Sequence, residues 1–182
     1  MELVSTTRSL SLIYNQHEDR LIMTTTLSSG ERRALLLTRS LTGRLVNGLA
    51  GLLKRSSKVA ARAPDEMRDD LVLLEHQGAV SSLSGGHSAS RMTQPASGEK
   101  QLPLQPETLP AILVTSISVQ TRPTHFEFVF KAGKQAIARF DPNRSELHRL
   151  LRLLIRKTEE ADWRLDLQSD WLEADKSTWA VN

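Results

Sequence analysis

A chain of 182 residues with 39% apolar and 25% charged residues suits one domain, or one domain with an insert. The absence of cysteine excludes a disulfide framework, a thiol nucleophile and zinc sites built on thiolates, and a reducing cytoplasm is the expected location. The net charge is only +3, yet it is segregated: residues 31–62 hold eight Lys/Arg against one acid, residues 63–76 one Arg against five acids, and residues 165–182 one Lys against four acids.

The N-terminal residues, Met1 to Tyr14, have neither the basic start nor the apolar run of a signal peptide. Leu10, Leu12 and Tyr14 alternate with other residues at the period of a strand with one buried face. A polar loop follows, and Leu21, Met23, Thr25 and Leu27 continue the alternation on a return strand. Ser28-Ser29-Gly30 reads as a turn, and Arg33 to Leu37 as a third strand whose Ala-Leu-Leu-Leu end could equally open a helix.

Thr38 or Ser40 is the expected cap of a long helix. At about 100° per residue, Leu41, Leu45, Leu49, Leu52 and Leu53 share one arc, with Val46 at its edge. Arg39, Arg44, Lys54, Arg55, Lys58 and Arg62 share the opposite arc. Arg39 and Arg44 interrupt this most apolar window of the chain, so no membrane span is expected, and no membrane partner. Gly43, Gly48 and Gly51 either allow close packing or mark a break near Gly48.

Pro64 with Asp65 and Glu66 suits the first turn of a second helix, with Met67, Leu71 and Leu74 as its apolar stripe. The Ser-, Gly-, Pro- and Gln-rich stretch 81–110 reads as a disordered linker. Ile112 to Gln120 resumes as a strand. Phe126, Phe128 and Phe130 alternate along the next, Ala132-Gly133-Lys134 turns the chain, and Gln135 to Phe140 returns. Asp141 as cap and Pro142 as first residue open a helix carrying Leu147, Leu150, Leu151 and Leu154. Trp163, Leu165 and Leu167 have the alternation of a short strand.

The expected fold is α+β: two similar antiparallel three-stranded-sheet-plus-helix halves packed together, with a helical and disordered insert between them. The divisions are 1–62 for the first half, 63–80 for a connecting helix, 81–110 for the linker, 111–168 for the second half and 169–182 for an acidic tail. The halves are expected to bury Leu35, Leu37, Leu45, Leu49, Phe128, Leu147, Leu151 and Leu154 in one core, with a homodimer as an extension through free strand edges. At the level of topology alone, such paired halves resemble the Whirly and Pur families of single-stranded nucleic-acid binders, which have four strands per half; no motif carries over.

No Gly-rich nucleotide loop, nucleophile elbow or paired-histidine zinc motif occurs, so no cofactor, metal or catalytic set is expected. The Phe126, Phe128, Phe130 row is either a base-stacking platform or core. The single-sign face of the first helix points to a non-enzymatic protein binding single-stranded DNA or RNA through Arg39, Arg44, Lys54, Arg55, Lys58 and Arg62. A helix face that is only solvated mixes signs and gains from i,i+4 pairs, which this one forgoes. The alternative is a protein-interaction adaptor whose basic helix and acidic, Trp-containing tail engage protein partners.

Overall fold

The computed structural model describes residues 6–81 and 109–179; the stretch expected as a linker lies almost wholly outside them. The fold is α+β, with one four-stranded and one three-stranded sheet and four α-helices among the described residues.

Strands β1 (Thr7–Asn15), β2 (Arg20–Leu27) and β3 (Arg32–Leu37) form an antiparallel meander. Leu12 lies opposite Met23 and Met23 opposite Leu35, while Leu21 lies opposite Leu37, so the alternation seen in the sequence becomes one continuous buried face. Gly30 closes the β2–β3 turn at φ +86°, a conformation that favours glycine. Asp19 closes the first hairpin at φ 49°. Its carboxylate accepts hydrogen bonds from Trp163 Nε1 at 2.7 Å and Tyr14 Oη at 2.8 Å, and these two bonds hold its carboxyl below its usual range.

The strand expected over residues 112–120 is divided. Strand β4 (Ala111–Leu113) pairs parallel with β3, giving the first sheet a fourth strand. At Val114 and Thr115 the chain changes partners: Val114 N donates to Leu36 O at 3.0 Å, and Thr115 N to Lys131 O at 2.8 Å. Strand β5 (Ser116–Thr121) then pairs antiparallel with β6 (Phe126–Ala132), which pairs with β7 (Gln135–Phe140). A second seam joins the sheets where Thr6 bridges Arg139 in parallel. Arg33 also reaches between them, donating from Nη1 to Ile137 O at 2.6 Å.

Helix α1 (Arg39–Ser56) is unbroken at Gly48 and starts at Thr38, whose side chain accepts from Leu41 N. Helix α3 (Arg144–Glu160) is capped by Asn143 in a capping box with Glu146. The expected cap, Asp141, has its carboxylate turned instead to Arg139 Nε at 2.8 Å. Pro64 precedes a single 3-10 turn (Asp65–Met67) leading into α2 (Arg68–Ser81). Of the stripe expected on this helix, Leu71 is half-buried against the core but Met67 and Leu74 are exposed, and the fully buried positions are Val72 and His76, four residues apart. His76 faces inward because its partners on α3 and the C-terminal segment lie there.

Trp163, Leu165 and Leu167 do not form a strand. Their segment lies across α1 and is hydrogen-bonded to a helix side chain instead: Asn47 donates from Nδ2 to Asp166 O at 2.8 Å and accepts from Gln168 N at 3.0 Å. Leu165 packs against this helix at Gly43, where an added Cβ would lie at ordinary contact distance, 3.6 Å, from its Cδ2. The acidic segment then forms α4 (Asp170–Trp179), with Trp171 and Leu172 buried. Leu35, Leu37, Leu45, Leu49, Phe128, Leu147, Leu151 and Leu154 all lie in one buried cluster drawn from both sheets and the helices. The polar clasp of this core is Arg144, which donates to Leu53 O and Ser56 Oγ at the end of α1 and to Glu75 of α2.

Candidate nucleic-acid interface

The six cations singled out in the sequence do not form one uniform face. Helix α1 ends at Ser56, so Lys58 and Arg62 lie beyond it, Lys58 in the following turn and Arg62 at the end of a 3-10 turn (Ala60–Arg62). Lys54 is ion-paired with Asp69 of α2 at 2.6 Å. Arg39 donates to the backbone carbonyl of Arg164 at 3.3 Å and faces Asp19. Arg44, Arg55, Lys58 and Arg62 are exposed, and none of them has a described acid within ion-pair distance.

Arg44 and Arg55 are brought together on the rim of one groove, of about 430 Å³, between α1 and β5. Eleven residues separate them in sequence, which is three helical turns or about 16 Å along the axis. Leu45, Leu49 and Leu52 of α1 line one wall, and Ile117 and Val119 of β5 the other. The cause lies in the strand pairing. Ile117 is opposite Phe130 and Val119 opposite Phe128, so the groove continues the core-facing side of the second sheet to its last strand. There α1 no longer covers it, and Val119 is left 40% exposed. On its other side β5 has no strand partner among the described residues, so backbone donors and acceptors run along a free edge. The Arg55 guanidinium lies over Gly51, where an added Cβ would come within 2.8 Å of Nη1 and the flexible side chain would shift aside.

Sequence reading found the two arginines but not the groove. Ile117 and Val119 carried no signal beyond strand alternation, because the partner change at Val114 and Thr115 cannot be read from local pattern. The Phe126, Phe128, Phe130 row is core, with exposures of 6%, 0% and 1%, so the sheet offers no stacking platform there.

A second cluster was also missed. His76 of α2, His148 of α3 and Asp175 of α4 converge in the interior, with His76 Nδ1 3.1 Å from His148 Nδ1 and His76 Nε2 3.4 Å from Asp175 Oδ2. Trp171 packs edge-on against His76 at 5.5 Å, so this part of the acidic segment is engaged within the fold. All three titratable side chains are buried, and among the described residues no group of three or more His, Asp or Glu could hold a metal ion. Burial, His76 and Arg144 together push His148 down to about 3, so the ring is neutral near neutral pH. This cluster joins helices and is closed to a substrate.

No helix among the described residues is long and apolar enough to cross a membrane. Comparison with protein-family models, with curated proteins and with solved structures finds no match.

Proposed function

We propose that this is a non-enzymatic binding protein that contacts nucleic-acid phosphates through the cationic surface of α1 and the turn after it. The observation that carries the reading is the set of four exposed cations, Arg44, Arg55, Lys58 and Arg62, that lack acidic partners among the described residues. Arginine presents a planar fork of donors that matches phosphate oxygens, and neutralising phosphates releases counterions. Lys54 and Arg39 play a lesser part, because each is engaged elsewhere in the fold.

The orders β1-β2-β3-α1 and, once β4 has joined the first sheet, β5-β6-β7-α3 are compatible with two similar halves, the second sheet with its helix α3 serving as the backing on which α1 is held. The cysteine-free composition suits the cytoplasm, where nucleic acid is at hand.

A gel-shift series with single-stranded DNA, duplex DNA and single-stranded RNA tests the reading. Binding at micromolar protein in ~50 mM salt that weakens steeply as salt rises is expected. No shift with any of the three would contradict it.

A further inference from the structure

Resting on the phosphate-binding reading above, we propose that the groove between α1 and β5 is a seat for unpaired bases, so that the protein prefers single-stranded nucleic acid over duplex. The groove has two chemistries side by side. Its walls are aliphatic, from Leu45, Leu49, Leu52, Ile117 and Val119, and its rim carries Arg44 and Arg55. A ligand that fills it has an apolar flat part and a regularly anionic part. Splayed bases on a sugar-phosphate chain have both.

The free edge of β5 adds a third feature. Its backbone N–H and C=O groups, which have no strand partner among the described residues, are donors and acceptors of the kind that meet the Watson–Crick edges of bases. In a duplex those edges are already paired and the bases are stacked inside, away from a recess between a helix and a strand. Among the described residues no aromatic side chain lines the groove, so base contact with them is aliphatic packing and edge hydrogen bonding, without ring stacking.

Charge decides against two other occupants. A second copy of this chain paired across a two-fold axis at β5 would set Arg44 and Arg55 against the same residues of its partner. An extended acidic peptide could pair with the edge, but the cations continue past the groove to Lys58 and Arg62, which suits a polymer with a charge at every unit.

The test is fluorescence anisotropy with a labelled single-stranded DNA 12-mer, its RNA equivalent and the matching duplex, all in the same low salt. Single strands are expected to bind at least tenfold more tightly than duplex. Val119→Gln, at an exposed position of an edge strand, is expected to weaken single-strand binding about tenfold and to leave duplex binding unchanged. Val119→Thr, isosteric and β-branched, serves as a second groove variant should Val119→Gln fold poorly, with thermal melting as the check on folding. Lys58→Gln with Arg62→Gln should weaken both substrates. Equal affinity for single strand and duplex, or single-strand binding indifferent to both groove variants, would overturn the groove assignment while leaving the phosphate reading intact. A peptide of alternating Val and Glu that displaces the 12-mer from wild type but not from the groove variants, and binds more tightly than it, would assign the groove to a protein partner and overturn the proposal. Binding of neither nucleic acid would remove the phosphate reading itself, and this inference with it.

Discussion

His76 and His148 meet Nδ1 to Nδ1 at 3.1 Å inside the fold, which requires one ring to donate and the other to accept. Two charged rings cannot satisfy that contact. The surrounding charges also bear on it: Arg144 lies on the His148 side, Glu75 next to His76 pairs with Arg144, and Asp175 of α4 faces His76 and Arg152.

Stability should therefore fall in acid. In the unfolded chain His148 takes up its proton near 6.5, but in the native state only near 3. Between those values the unfolded state binds more protons, so the contribution is complete above about 6.5 and is lost as pH falls, at a slope of up to about 1.4 kcal/mol per pH unit. Denaturant unfolding at pH 7.5, 6 and 5 should show this loss in wild type. The curve for His148→Gln should be flatter, and equal slopes would show that His148 does not report the burial.

Two glycine substitutions should have opposite signs. Gly48 lies in mid-helix, and a Cβ added there would meet no atom within 4 Å, so Gly48→Ala should stabilise by up to about 1 kcal/mol. Gly30 has equally open space but sits at φ +86°, so Gly30→Ala should cost about 1 kcal/mol or more through backbone strain. Thermal melting of the two variants decides the matter, and a gain from Gly30→Ala would contradict the turn geometry.

The shared core makes a further demand. Leu151 of α3 is fully buried in the cluster that includes Leu35 of β3 and Leu45 of α1. Leu151→Asp places an unpaired charge there and should destabilise by about 3 kcal/mol or more. Hydrogen exchange should show β1–β3 losing protection together with β5–β7. Retained protection in β1–β3 would mean that the two sheets fold independently.

Much of this fold is legible in the sequence because local chemistry and burial agree. Leu12, Met23 and Leu35 alternate and are buried together, Thr38 caps α1, and the α3 leucines keep helical spacing. What escapes depends on partners distant in sequence. Val72 and His76 face inward, where the local pattern points to Met67 and Leu74, because His148 and Asp175 meet His76 there. Trp163 to Leu167 has strand alternation but is bound by the side chain of Asn47. The groove arises where β5 leaves the first sheet for the second, so Arg44 and Arg55 are visible as charges without the apolar walls beside them.

The phosphate reading is tested most directly by the salt dependence of single-strand binding in wild type and in a variant combining Arg44→Gln, Arg55→Gln, Lys58→Gln and Arg62→Gln. Each phosphate contact on a single strand adds about 0.7 to the slope of log K against log salt. Removing four contacts should lower that slope by roughly 3 and weaken binding at every salt concentration. A variant with the wild-type slope and affinity would show that these four side chains do not touch the phosphates.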